Sequence, residues 1–124
     1  MVYWAPILHF YQPPTQFPAV LKRICDESYR PLIALLGEFE RARATVNING
    51  SLTQMLLDCG HQDIVDGLRR LAEGGRIEFL GSAMYHPILP LIPESEIARQ
   101  IQLNQATNRR ALLDQVFAVR CHRR

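Results

Sequence analysis

Short apolar runs alternate along this chain with longer stretches of helical periodicity, and no other feature restricts its fold as tightly. Val2 to Phe10 (VYWAPILHF) is aromatic and branched throughout, as a strand buried on both faces requires. Tyr11-Gln12-Pro13-Pro14 ends it, because two prolines remove ladder donors and fix the backbone. Thr45 to Asn49 alternates and closes at Gly50, which predicts a second strand. Arg76 to Leu80 (RIEFL) predicts a third, and Val116 to Val119 the beginning of a fourth.

Helical patterns fill the intervals. Pro18 opens one with Val20, Leu21, Ile24 and Cys25 on a single face, and Pro31 suits the first turn of a second, whose stripe is Leu32, Ile33, Leu35 and Leu36. Ser51 is the expected N-cap of a helix carrying Leu52, Met55, Leu56 and Leu57, ended by Gly60. Ile64, Val65, Leu68, Leu71 and Ala72 form the cleanest stripe, stopped by Gly74-Gly75. A proline-punctuated loop leads to a long helix from Glu94 to about Leu113, with Glu94 and Glu96 near its positive end and Arg109 and Arg110 near its negative end. The apolar stripe of that helix is thin at Asn104 and Asn108. Strand and helix in regular succession predict βαβ units and a parallel α/β sheet, either open or part of a barrel.

The 124 residues suit one domain, and 48% hydrophobic with 21% charged residues is the balance of a folded globular chain. The net charge of +2 depends on Arg120, Arg123 and Arg124; without them 11 basic residues face 12 acidic ones. No basic stripe predicts a nucleic-acid partner. Cys25, Cys59 and Cys121 are odd in number, far apart and without CxxC spacing, which points to free thiols in a reducing compartment, with no disulfide framework and no metal site. Residues 1–10 show no leader pattern and no apolar run is long enough for a membrane span, so the expected setting is the cytoplasm.

Ligands of parallel α/β folds gather at the carboxyl ends of the strands. There the sequence places His9 to Gln12, then Asn47 to Ser51, then Glu78 to His86. Each has an ordinary alternative: His9 as a satisfied core histidine, Asn47 and Asn49 as turn formers, His86 as a loop residue. Glu78, between Ile77 and Phe79, is costly in a buried strand unless it is paired or faces a polar cavity.

Together these segments resemble glycoside hydrolase family 57. His9-Phe10-Tyr11-Gln12-Pro13-Pro14 is similar to the His-x-His-Gln-Pro element that opens that family, with Tyr11 where many members carry a second histidine. Gly75-Arg76-Ile77-Glu78 resembles its Gly-Gln-x-Glu region, with arginine for glutamine. The stretch Tyr85-His86-Pro87-Ile88-Leu89-Pro90-Leu91-Ile92-Pro93, followed by Glu96 and Arg99-Gln100-Ile101, resembles the next loop and helix. The resemblance covers roughly residues 3 to 113 and implies the N-terminal portion of an incomplete (β/α)7 barrel acting on α-glucans or maltooligosaccharides, without a cofactor. It implies a retaining mechanism, whose two carboxyl groups lie about 5–5.5 Å apart. His9, Gln12, Glu78 and His86 become substrate-binding residues, and Tyr85 or Trp4 could stack on a sugar face, although Trp4 is expected in the core. In the family the nucleophilic glutamate follows strand four. Here no glutamate follows Glu96, and residues 114–124, ending Arg120-Cys121-His122-Arg123-Arg124, are unlike the family, so neither catalytic carboxylate is expected within residues 1–124. Two other readings are a non-catalytic carbohydrate-binding fragment and a barrel of the polysaccharide deacetylase type. The latter would want an Asp-Asp pair and a His-x-x-x-His set that the sequence lacks.

Overall fold

A computed structural model describes residues 4–112. Three short strands, β1 (Ile7–Phe10), β2 (Ala44–Ile48) and β3 (Ile77–Leu80), form a parallel sheet in the order β1-β2-β3. Four α-helices connect them, α1 (Pro18–Ile24), α2 (Arg30–Glu38), α3 (Gly50–Asp58) and α4 (Gln62–Glu73), and among the described residues a fifth, α5 (Glu94–Leu112), follows β3. The expected α/β order is therefore present, while the fourth strand expected at Val116 to Val119 lies outside the described residues.

Of the first strand expected over Val2 to Phe10, Val2 and Tyr3 lie outside the described residues, and Trp4 to Pro6 are not part of the strand. Pro6 has no N–H to donate, so the ladder begins at Ile7, opposite Thr45, and the carbonyl of Pro6 accepts from the Thr45 amide at 2.9 Å. Trp4 precedes the ladder and is 88% exposed, which overturns its expected place in the core. The two helices expected after Pro18 and Pro31 are one helical run. A π-helical turn, Cys25–Tyr29, joins α1 to α2, and the Arg30 amide reaches back five residues to the Cys25 carbonyl. Placing this wide turn just ahead of Pro31 lets the run pass a residue that breaks the ordinary bonding pattern. Further along, Gly60 (φ 79°) and Gly75 (φ 64°) take the left-handed backbone that ends α3 and α4.

Alternation along the strands gives the sheet two unlike faces. Phe10, Val46, Ile48, Ile77 and Phe79 are buried beneath the helices, in one core with Leu21, Leu36, Leu52, Leu56, Ile64, Val65 and Leu68. The opposite face presents Ile7, His9, Thr45, Asn47, Glu78 and Leu80; Ile7 is 65% and Leu80 40% exposed. Helices α2 and α4 approach closely at Gly67, where a Cβ would stand 2.8 Å from Cγ2 of Ile33.

Helix α5 docks through a polar stripe, which explains its thin apolar pattern. Gln100, Asn104 and Asn108, spaced by four residues, are all buried. The Asn104 side-chain oxygen caps the start of α3 by accepting from the Gly50 amide at 2.6 Å. Asn108 donates to the Ile48 carbonyl at 3.1 Å and accepts from the Thr53 hydroxyl at 2.6 Å. Ser51 is therefore not the N-cap of α3. Asn49 holds that position, and its side chain turns away to donate to the Ser82 hydroxyl (3.0 Å) and the Ala83 carbonyl (2.6 Å).

Candidate functional site

The carboxyl ends of the strands gather two imidazoles, a phenol and an amide. His9, on the uncovered face of β1, pairs in register with Asn47, which pairs with Leu80. Nδ1 of His9 lies 2.7 Å from the side-chain oxygen of Asn47, whose NH2 group donates to the Leu80 carbonyl at 3.2 Å. Two residues further, Tyr11 points the same way, its ring stacked on that of His9 with 6.1 Å between centroids. The loop after β3 brings His86 over both, its ring 4.9 Å from His9 and 4.7 Å from Tyr11.

His86 reaches this place with φ at +54°, the left-handed region that non-glycine residues seldom enter and that histidine tolerates better than most. Helix α5 holds the loop there. The Met84 amide donates to the Gln100 backbone carbonyl at 3.1 Å, and the Tyr85 amide to the Gln100 side-chain oxygen at 3.1 Å. The Gln100 NH2 group in turn donates to Glu96 at 2.8 Å, and Arg99 grips the same carboxylate through Nε (2.7 Å) and a terminal nitrogen (2.8 Å). These donors, Arg99 first, hold the Glu96 carboxyl down at about 2. The Glu96, Arg99 and Gln100 pattern seen in the sequence thus has a physical role as the anchor of the His86 loop.

The expected site residues are not all brought together. His9 and His86 meet. Gln12 turns to the wall of the helical run: its NH2 group donates to the Tyr29 hydroxyl at 3.4 Å, and its oxygen accepts from Gln16 at 3.0 Å. Burial raises the Tyr29 hydroxyl above its usual range, so it remains protonated. Glu78 shares the uncovered face with His9 but pairs with Thr45, one level below the His9–Asn47–Leu80 row and about 7 Å nearer the strand beginnings. It is exposed, and among the described residues no hydrogen bond or ion pair holds its carboxylate, so the buried-pair explanation of this residue falls away. A cleft of about 430 Å³ at the opposite, N-terminal ends of the strands is lined by Trp4, Arg43, Arg76 and Glu78. It lies away from the end where parallel sheets place their chemistry, and the histidine cluster is the better candidate.

From sequence alone Asn47 has the ordinary reading of a turn former, and Tyr11 only that of a departure from a motif. The strand alternation that puts Asn47 in step with His9 was visible, but the register joining them was not. Among the described residues no three His, Cys, Asp or Glu side chains converge as metal ligands. Cys25 and Cys59 are free thiols, and among the described residues no helix is long and apolar enough to cross a membrane.

The sequence profile of glycosyl hydrolase family 57 matches residues 8–115. An α-amylase of Pyrococcus horikoshii is 31% identical over 83% of this chain and 16% of its own length. Alpha-amylase 1 of Dictyoglomus thermophilum is 33% identical over 82% of this chain and 15% of its own. The crystal structure of a 4-α-glucanotransferase from Thermococcus litoralis superposes with a TM-score of 0.81 at 28% identity, covering 89% of this chain and 17% of that one. The described strands and helices match the N-terminal part of the (β/α)7 barrel. The chain thus spans less than a fifth of the length of these relatives.

Proposed function

Because this chain belongs to glycosyl hydrolase family 57, we propose that it is the N-terminal part of the catalytic barrel of an α-glucan-active hydrolase or transglycosylase. The observation that carries this is the His9–Tyr11–His86 cluster, backed by Asn47, at the carboxyl ends of parallel strands on the face that the helices leave open. Imidazole nitrogens and a phenol exchange hydrogen bonds with sugar hydroxyls, and the ring faces suit the C–H faces of a pyranose. Glu78, uncommitted on the same face, is placed to accept from hydroxyls deeper in the barrel. Gln12 supports the site indirectly, by tying the loop after β1 to Tyr29.

We assign to this segment substrate binding and no member of the retaining carboxylate pair. Glu96 is committed to Arg99 and Gln100, and Glu78 has no carboxyl partner in its row. The free thiols of Cys25 and Cys59 are in keeping with a reducing, cytoplasmic setting.

Maltoheptaose incubated with the chain should yield no shorter or longer glucans above a buffer blank, since loss of catalytic members costs orders of magnitude in rate. In a barrel that joins this segment to the remaining strands of a family relative, His9→Ala and Glu78→Gln should each lower kcat/KM by roughly tenfold or more with the melting temperature preserved. Turnover by the chain alone, or unchanged kcat/KM in both variants, would overturn the assignment.

A further inference from the structure

Both polar atoms of the Asn47 side chain are engaged, and their partners fix a proton elsewhere. One faces the backbone carbonyl oxygen of Leu80 at 3.2 Å, the other Nδ1 of His9 at 2.7 Å. A carbonyl oxygen only accepts, so the atom facing Leu80 must be the NH2 group. The atom facing His9 is then the amide oxygen, which also only accepts. The hydrogen in that contact must therefore sit on Nδ1 of His9, and the neutral ring keeps its lone pair on Nε2. We propose that Asn47 is a positioning residue that locks His9 in the Nδ1–H tautomer, so that Nε2 receives a hydroxyl hydrogen of the bound sugar.

The fold supplies what such a lock needs. Strand β2 is central, so Asn47 meets His9 on one side and Leu80 on the other within a single row of the sheet. The acceptor that orients Asn47 is main chain, and no change of side chain at position 80 removes it. Tyr11 and His86 flank the His9 ring and restrict its rotation. Nε2 has no hydrogen-bond partner among the described residues, and His9 is exposed. A ring flip would bring a carbon against the Asn47 oxygen and forfeit the 2.7 Å contact. The sugar part of the proposal rests on the function assigned above; the tautomer does not.

The test is ring-nitrogen NMR of the chain with 15N-labelled histidine at pH 8, with His9 assigned through His9→Gln. The expected pattern is a pyrrole-type Nδ1 and a pyridine-type Nε2, with the Nε2 signal shifting when maltoheptaose is added. Asn47→Leu removes the acceptor and should move the ring toward Nε2–H, whereas Asn47→Asp keeps an acceptor and should retain Nδ1–H. If the leucine variant does not fold, the parent and the aspartate variant still decide. A protonated Nε2 in the parent overturns the proposal, as does the averaged pattern of free histidine or an unchanged tautomer in folded Asn47→Leu. The expected tautomer without any response to maltoheptaose upholds the lock and overturns the sugar-binding role.

Discussion

Replacing Asn108 by alanine should destabilise the fold far more than the removal of a polar residue from a helix usually does. Asn108, Thr53 and Ile48 are all fully buried, and the asparagine side chain holds both of the others. Each lost hydrogen bond contributes roughly 0.5–1.5 kcal/mol net, and a buried group left unpaired costs roughly 1–3 kcal/mol. The Ile48 carbonyl loses its side-chain donor, while the Thr53 hydroxyl keeps a contact of 3.4 Å to the Asn49 carbonyl. These losses overlap, and the expected total is about 2–4 kcal/mol. For a domain of this size that corresponds to a fall in Tm of roughly 8–16 °C. Asn108→Leu restores volume without restoring the donor, so it should recover little of the loss. Thr53→Val combined with Asn108→Ala should show a coupling of about 1 kcal/mol. Urea unfolding followed by circular dichroism provides the free energies. A leucine variant as stable as the parent would refute the reasoning, as would single changes that add within about 0.5 kcal/mol.

Two other outcomes follow from the same structure. Gly50→Ala places a Cβ 2.6 Å from the Met84 sulfur, 3.2 Å from Thr107 Cβ and 3.3 Å from the Asn104 oxygen; it should cost roughly 1–3 kcal/mol in thermal melts, with partial relief from Met84→Ala. The Glu96 carboxyl is depressed from 4.5 to about 2, so the anchoring it provides is present above the unfolded value and fades as pH falls from about 4.5 towards 2. Hydrogen exchange at the Tyr85 amide, corrected for intrinsic rate, should show that loss of protection in the parent and not in Glu96→Gln; the same pH response in both would contradict the anchoring role.

The order of elements was legible because each rests on local chemistry: the alternation at Thr45 to Asn49, the stripe from Ile64 to Ala72, the glycines at 60, 74 and 75. His9 and His86 were identified from motif order, and the structure brings their rings together. What escaped depends on partners distant in sequence. Asn104 and Asn108 weaken an apolar stripe when α5 is read alone, and only the end of β2 and the start of α3, more than fifty residues earlier, supply the carbonyl, amide and hydroxyl that make them core residues. Pro31 correctly suggested an interruption, but the chain absorbs it in a wide turn within a continuing run. Of the two ways a strand can carry Glu78, pairing or a place on an open face, sequence leaves both standing, and the strand's alternation settles it by turning Glu78 to the uncovered side. Trp4 was misjudged because Pro6 cuts it off from the ladder.

Strand β2 carries the core and the candidate site in opposite phase. Ala44, Val46 and Ile48 face the helices, and Thr45 and Asn47 face the open side. A substitution can alter one set and spare the other, but a one-residue insertion or deletion within the strand exchanges them completely. It would turn Asn47 into the apolar core and Val46 or Ile48 toward His9, so the tautomer lock and the packing would fail in the same event. Evolution along this strand is thus confined to replacement in place, and length changes belong to the loops on either side. Natural or designed variants should obey that parity: alignments with gaps inside residues 44–48 would describe proteins that have neither this core nor this site.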